Sequence, residues 1–409
     1  MAARRAYMDH NATAPVRPEA AEAVARALRF AGNPSSVHAE GRAARRLVEE
    51  ARAEVAALIH ARPAEVIFTS SGTEAANLAF HAARTALGIE RAVVSAVEHD
   101  CVHAVAAALD LPVTVLPVNP DGVADLAALA AALGGGGRTL VALMLANNET
   151  GVVQPVAEAV RLAGEVGAYV AVDAVQAAGK MPVDFAALGA DMMFLSAHKI
   201  GGPQGAGALV MREGLAFAPL IRGGGQELRR RAGTENAPGI AGFGVAAALA
   251  VRETGAEAAR LLALRERLEA RIAEAAPDAV FFGSGAPRLA NTSCFSAFSL
   301  AEAGVEAETL VMALDLDGIA VSAGAACSSG KVARSHVLAA MGVGEALARS
   351  AIRVSLGAGS SEEDIDRLVA SWTRICERAA RRRSALAAGM HTKAENGAQA
   401  RAGLAKAES

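Results

Sequence analysis

Aromatic side chains are scarce in this sequence, only 3% of 409 residues. That scarcity removes the stacking platforms on which single-stranded nucleic acid is read, and it leaves the core to Ala, Val and Leu. Neither sign of charge dominates. Forty Lys and Arg stand against 43 Asp and Glu, a net charge of −3, which argues against a general binder of nucleic acid or anionic membrane. Long apolar runs are missing as well: the longest uncharged one, Ala237 to Val251, is Gly/Ala-rich and falls short of the ~20 residues that a bilayer requires. The opening stretch MAARRAYMDHNATAP has two arginines but no apolar segment behind them, so it does not read as a secretory signal. Cysteine is rare and scattered. Cys101, Cys294, Cys327 and Cys376 form no CxxC pair, which disfavours a zinc site or disulfide framework and points to a reduced, cytoplasmic setting.

What the chain does have is apolar matter, 53% against 20% charged, enough for a sizeable core and two or three folded units. From about Val66 to Val210, short β-type runs alternate with helical stretches. The runs are VIFT (66–69), AVVSAV (92–97), PVTVL (112–116), TLVALML (139–145), AYVAV (168–172), MMFLS (192–196) and GALVM (207–211). Helical patterns at 73–87, 100–109, 124–133 and 155–166 separate them. This is the pattern of an α/β fold with a mostly parallel seven-stranded sheet covered on both faces, which places ligands at the carboxyl ends of its strands. After Pro238 the pattern predicts two long helices (238–254 and 256–276). An α+β unit then follows, with strands near 279–282, 292–298, 319–321 and 351–355 and helices near 304–315 and 361–380. The expected division is a large domain at 15–254, a small domain from 1–14 and 255–380, and a disordered tail at 381–409.

Several motif look-alikes fail on context. Gly324 to Lys331 is one residue too long for a P-loop, and Val332 stands where Ser or Thr belongs. Gly242-Phe-Gly244 sits inside a helical stretch with no strand before it, so helix packing explains it better than dinucleotide binding. Ser196-Ala-His-Lys199 matches the S-x-x-K of penicillin-binding enzymes but lacks their other motifs. The Gly134–Gly137 run reads as a loop.

Four strand-end sites remain. Ser70-Ser71-Gly72-Thr73-Glu74 opens a helix and would form an anion site, or simply a capping box. Asp173 ends a buried strand, where a carboxylate needs a cationic or polar partner, unless it is only a helix cap. Lys199 lies just past MMFLS, where desolvation would make it an amine nucleophile; a solvated surface lysine is the plain alternative. His99 follows AVVSAV as a flat imidazole, or as a cap. Together they supply a phosphate cup, an acid for a ring nitrogen, an amine for an aldehyde and a stacking ring, a set that describes pyridoxal 5′-phosphate (PLP).

The ordered blocks MDHNATAPV (8–16), GNPSSVH (32–38), FTSSGTEAAN (68–77), EHD (98–100), NNETGVVQP (147–155), VDAVQ (172–176), SAHKIGGPQG (196–205), GGGQE (223–227), RAGTEN (231–236), SAGAACSSG (322–330) and IRVSLG (352–357) resemble the cysteine desulfurases of the class V aminotransferase family, NifS/IscS branch. The resemblance runs from Tyr7 to about Ala379. It implies a PLP-dependent transferase of fold type I, a homodimer that converts L-cysteine to L-alanine and leaves a persulfide on Cys327. It further implies an iron–sulfur scaffold protein as sulfur acceptor, with transient cluster iron near Cys327. By the same resemblance Lys199 anchors the cofactor, Asp173 holds its ring nitrogen protonated, His99 stacks on the ring and moves protons, and Gln176 bonds its phenolic oxygen. Gly72, Thr73, Ser196 and His198 hold the phosphate, with Thr234 reaching in from the partner subunit. Asn148 and Arg353 fix the substrate carboxylate, and Asn148 also lines the cofactor. The stretch ACSSGKVARSHVL (326–338) is closer to the nitrogen-fixation form than to the housekeeping form.

The chain departs from the pattern at Ser71, at Leu228-Arg229-Arg230, where an Arg-Gly pair is more usual, and after Gly357. The rivals are another class V enzyme (an aminotransferase or selenocysteine lyase), a serine acyl hydrolase using Ser196 and Lys199, and a non-catalytic sulfur carrier. The small residues around Cys327 favour desulfuration.

Overall fold

A computed structural model describes residues 5–29, 31–324 and 335–381. The strands in chain order are β1 (Ala6–Tyr7), β2 (Val66–Thr69), β3 (Arg91–Ser95), β4 (Val113–Leu116), β5 (Thr139–Ala142), β6 (Tyr169–Asp173), β7 (Met192–Ser196) and β8 (Gly207–Met211). Beyond them come β9 (Ala279–Phe281), β10 (Thr292–Ala297), β11 (Ile319–Ala320), β12 (Ser322–Ala323) and β13 (Ile352–Ser355). Strands β2 to β8 form one sheet in the order β2-β8-β7-β6-β5-β3-β4. Only β8 runs against its neighbours. The expected run to residue 145 outlasts β5, yet Leu143 and Leu145 N–H groups still bond to Ala171 and Asp173 of β6.

Alternation decides which face each strand residue covers. Phe68, Val93, Val141, Val172, Met193 and Val210 point into one core, while Ile67, Val94, Leu140, Ala171, Phe194 and Leu209 point into the other. Helices cover both faces: α1 (Pro18–Ala27), α2 (Ala39–Leu58), α3 (Gly72–Thr85), α4 (Asp100–Ala107), α5 (Leu126–Leu133), α6 (Val156–Glu165), α7 (Phe185–Leu188) and α8 (Ala237–Ala275). The two helices expected at 238–276 are in fact one, of 39 residues. A mid-helix glycine such as Gly255 costs only about 1 kcal/mol, and α8 offsets that by burying Ile240 and Phe243 in the sheet core and Leu264, Leu268 and Ile272 in the second core. Gly242 and Gly244 serve packing, as the sequence suggests. A Cβ on Gly244 would stand 2.6 Å from Ala51 Cα, and one on Gly242 would stand 2.7 Å from Val24 Cγ2.

The second core gathers around Trp372, Phe295, Ile352 and Leu310, and it takes Ala6 and Met8 from the N-terminal segment. Its sheet is antiparallel, in the order β12-β13-β10-β9, and β1 pairs with β11 beside it. Residues 362–381 close the described chain as a helix. The expected tail beyond it lies outside the described residues.

Candidate functional site

Strands β2, β3, β5, β6 and β7 are mutually parallel, so their carboxyl ends share one edge. The register at that edge is set by Gly207, which pairs with Thr69 on one side and Ser196 on the other. A Cβ there would stand 2.5 Å from the Ser71 carbonyl carbon, so only glycine lets the 70–73 turn settle over β8 beside Ser196. Ser71 caps α3 by accepting the Glu74 N–H (3.1 Å), and the Glu74 carboxylate takes the Ser70 N–H (2.8 Å). The capping box expected from sequence is therefore present, with its reciprocal bond shifted one residue outward. The anion site coexists with it: Gly72 and Thr73 are the first two helical residues, whose N–H groups have no intrahelical partner.

Lys199 follows β7 in a tight turn and sends its amine to the backbone oxygens of Asn11 (2.6 Å) and Ala12 (2.9 Å). Burial, and then the Arg353 charge, bring that amine down to about 8, against the pull of Asp173 and Asp9. No hydrogen bond joins Lys199 to Ser196 among the described residues; the amine is engaged by Asn11 and Ala12 instead. Asp173 is buried and accepts the Val175 N–H at 2.9 Å. Burial raises its carboxyl, while that bond and the charges of His99 and Lys199 oppose the rise. His99 is the N-cap of α4, its Nδ1 accepting the Cys101 N–H at 3.1 Å, so in the neutral ring the proton sits on Nε2. Gln176 is buried and donates Nε2 to Asn11 O (3.0 Å). His198 meets the Thr13 hydroxyl at 3.2 Å, and burial with two nearby lysines lowers it to about 4.

Arg353 is buried on β13, with Nη2 on Asp9 Oδ1 (2.7 Å) and Nη1 on Asn148 O (3.1 Å). Its Nε is buried without a partner. Through these bonds the second core reaches the sheet edge. Asn11 extends the link, since its Nδ2 donates to Asn148 O and to Thr292 Oγ1. Thr234 is exposed and makes no hydrogen bond to another expected residue among the described residues. Cys327 lies outside the described residues.

Sequence reasoning passed over several residues on which the site depends. Asn11, inside the 8–16 block, is the hub of the hydrogen bonds around Lys199. Lys180, four residues beyond Gln176, bonds both of them. Arg231 grips Glu74 at 2.9 Å beside the 70–73 turn. Glu149 is buried under Ser335, and burial raises its carboxyl to about 7. Closeness to Gln176 in the chain could have flagged Lys180. The others are joined across long stretches of sequence that no local pattern reports.

The sequence signature of the aminotransferase class-V family matches residues 6–368. A cysteine desulfurase of Cereibacter sphaeroides is 46% identical over 372 residues, covering 89% of this chain and 94% of that protein. An IscS-like cysteine desulfurase of Mycobacterium tuberculosis is 42% identical over 94% of this chain and 98% of that one. Among solved structures, a NifS-like protein from Rickettsia africae superposes with a TM-score of 0.83 at 33% identity, over 91% of this chain and all of that one. The chain belongs to the class-V aminotransferase family, in its NifS/IscS branch of PLP-dependent cysteine desulfurases.

Proposed function

We propose that this chain converts L-cysteine to L-alanine and collects the sulfur on Cys327. In that step the substrate's Cβ–S bond breaks and an S–S bond to Cys327 forms. A thiol and cysteine become a persulfide and alanine, with no external oxidant or reductant. The observation that carries the reading is the Lys199 amine. It is held at the strand edge with its basicity reduced to about 8, within electrostatic reach of the buried Asp173 carboxylate.

The donor set fits PLP. Two N–H groups at the start of α3, with the Thr73 hydroxyl and Ser196, suit a phosphate. A buried carboxylate suits a ring cation, and a lysine with a substantial neutral fraction near pH 8 suits an aldehyde. When bound, the cofactor supplies an electron sink for the amino-acid carbon. Asp173 holds negative charge at the ring nitrogen, and Gln176 Nε2 offers its second hydrogen to the phenolic oxygen. His99 presents its ring, with the Nε2 proton available for transfer. His198 stays neutral, and with Gly72, Thr73 and Ser196 it holds the phosphate. Arg353, held by Asp9 and by Asn148 O, fixes the substrate carboxylate together with Asn148. Cys327 attacks the substrate sulfur.

We place the boundary of the large domain at 15–254, with 1–14 and 255–380 as the small one. The active form is a homodimer in the cytoplasm, Thr234 completing the partner's phosphate site, and an iron–sulfur scaffold protein takes the sulfur. The stretch after Cys327 favours the nitrogen-fixation form. The test is direct: record the visible spectrum of the purified protein, add cysteine, and assay alanine and sulfide. A yellow protein that forms alanine, with Lys199→Ala inactive and Cys327→Ser forming none, supports the reading. Alanine formed by Cys327→Ser at the rate of the unmodified protein overturns it.

A further inference from the structure

Lys180 has no task in the reaction as proposed above, yet it touches two members of the site. It follows Gln176 by four residues across two successive turns, in which Ala178 N bonds to Ala174 O and Met181 N to Ala177 O, and the left-handed Gly179 (φ 74°) between them brings the chain back so that the two side chains meet. The Lys180 amine donates to Gln176 Oε1 at 2.5 Å and to Asn11 Oδ1 at 2.8 Å. It lines the same cavity as Lys199, about 300 Å³ in volume, with Tyr7, His10 and Asn291.

We propose that Lys180 is a positioning residue for the reaction, fixing through its amine which end of the Gln176 amide faces Lys199 and the bound cofactor. The argument is one of donor and acceptor inventory. A lysine amine facing a carboxamide donates, so it selects the oxygen of the amide and turns the nitrogen away. The nitrogen then meets Asn11 O, the same oxygen that receives the Lys199 amine. Flipping the amide would set N–H against the Lys180 amine and Oε1 against Asn11 O, losing both bonds. Asn11 cannot rotate to compensate. Its Oδ1 also accepts from Asn291 (3.1 Å), and its Nδ2 is shared between Asn148 O and Thr292 Oγ1. Burial and the neighbouring charges of Lys199 and Arg353 also push the Lys180 amine well below its ordinary value.

The proposal rests on the reading of Gln176 as the donor to the cofactor's phenolic oxygen. Such a donor favours the deprotonated form of the bound chromophore, so losing its orientation raises the pH at which the visible band titrates. The experiment is a spectroscopic pH titration of holoenzyme for the unaltered protein, Lys180→Met, Gln176→Leu and the double variant. Lys180→Met is expected to raise the titration midpoint by about one unit, a tenfold change in proton affinity. In the Gln176→Leu background it is expected to add nothing. If Lys180→Met does not fold, Lys180→Gln serves. Its amide offers Gln176 either a donor or an acceptor, so it should move the band the same way by a smaller amount. A midpoint moved by Gln176→Leu but unmoved by the Lys180 variants overturns the role of Lys180 alone. A midpoint that Gln176→Leu leaves in place overturns the underlying site reading and the proposal with it. Additive shifts in the double variant overturn action through Gln176 and leave Lys180 a structural lysine.

Discussion

The floor of the site and its rim are built by opposite means. The floor, at the ends of β6 and β7, is a buried mesh in which Asp173, Gln176, Lys199 and Asn11 hold one another by direct hydrogen bonds or charge. The rim, residues 219–234, is rich in glycine and exposes Leu228 and Thr234. It also contains three consecutive non-glycine residues with left-handed backbone, Glu227, Leu228 and Arg229 (φ 47°, 55° and 66°). Two ion pairs hold that strained turn. Glu227 takes both terminal nitrogens of Arg52 (2.7 and 2.9 Å) and the Phe68 N–H (2.9 Å), while Arg231 takes Glu74. Arg52 also bonds Val66 O. The Arg52–Glu227 pair therefore covers the open edge of β2, the outermost strand of the sheet. Where packing defines the conformation, as in the floor, charge can be spent on chemistry. Where packing is thin, as in the rim, charge is spent on shape.

The largest expected effect tests the floor. Asp173→Ala should retain part of its cofactor yet lose turnover by at least about a thousandfold, because the ring cation loses its counter-charge. Alanine formation under saturating cysteine and PLP measures it. The rim counterpart, Thr234→Ala, should cost only about tenfold in cofactor affinity, the loss of one hydrogen bond to an anion. Comparable losses at the two positions would erase the distinction.

Next is the clamp. Glu227→Leu takes from Arg52 its buried partner and leaves it the more exposed Glu49 carboxylate (3.1 Å) and Val66 O, which costs about 2–3 kcal/mol, and it frees Phe68 N–H as well. Thermal unfolding should fall well below that of the unaltered chain. The double change Arg52→Met with Glu227→Leu should recover part of the loss, since two apolar groups replace an ion pair better than a charge stripped of its buried partner does.

Acid separates the two regions again. Burial lowers His10 and His198, on the floor, each to about 4. Both are neutral in the fold but protonate in the unfolded chain near 6.5, so the unfolded state binds more protons between those values and stability falls as pH drops from 6.5 to 4. His10→Gln should flatten the fall in melting temperature across that window. A slope unchanged in both His10→Gln and His198→Gln would place the acid sensitivity elsewhere.

Much of this was legible in the sequence, for a physical reason. Strands VIFT, MMFLS and GALVM match β2, β7 and β8 residue for residue because strands buried on both faces are short, near-continuous apolar runs. The residues at or just past the ends of β2, β6 and β7, namely Ser71, Asp173 and Lys199, fall on one edge because these three strands share a direction. Helix α8 was misread as two because Gly255 suggests a break that burial at both ends of the helix overrides. The Arg52–Glu227 pair, separated by 175 positions, could not be read at all. Neither partner carries a periodic signal, and only the folded register of β2 brings them together.

The smallest effect is expected at Arg229, which stands in the left-handed region at φ 66°, where the resemblance to the family leads one to expect glycine. A side chain there costs about 1–2 kcal/mol against the backbone. Glycine relieves that cost but returns roughly 0.4–1 kcal/mol through the greater freedom of the unfolded chain. Arg229→Gly should therefore stabilise the protein by about 0.5–1 kcal/mol, measured as a shift in urea midpoint at unchanged slope. Among the described residues the Arg229 side chain makes no hydrogen bond or ion pair that the exchange would lose. The same change made in Glu227→Leu should gain less, because a turn already released from Arg52 no longer holds residue 229 in the left-handed region. An equal gain in both backgrounds would mean that the strain belongs to residue 229 itself and owes nothing to the clamp, and the account of a rim shaped by charge would lose its main support.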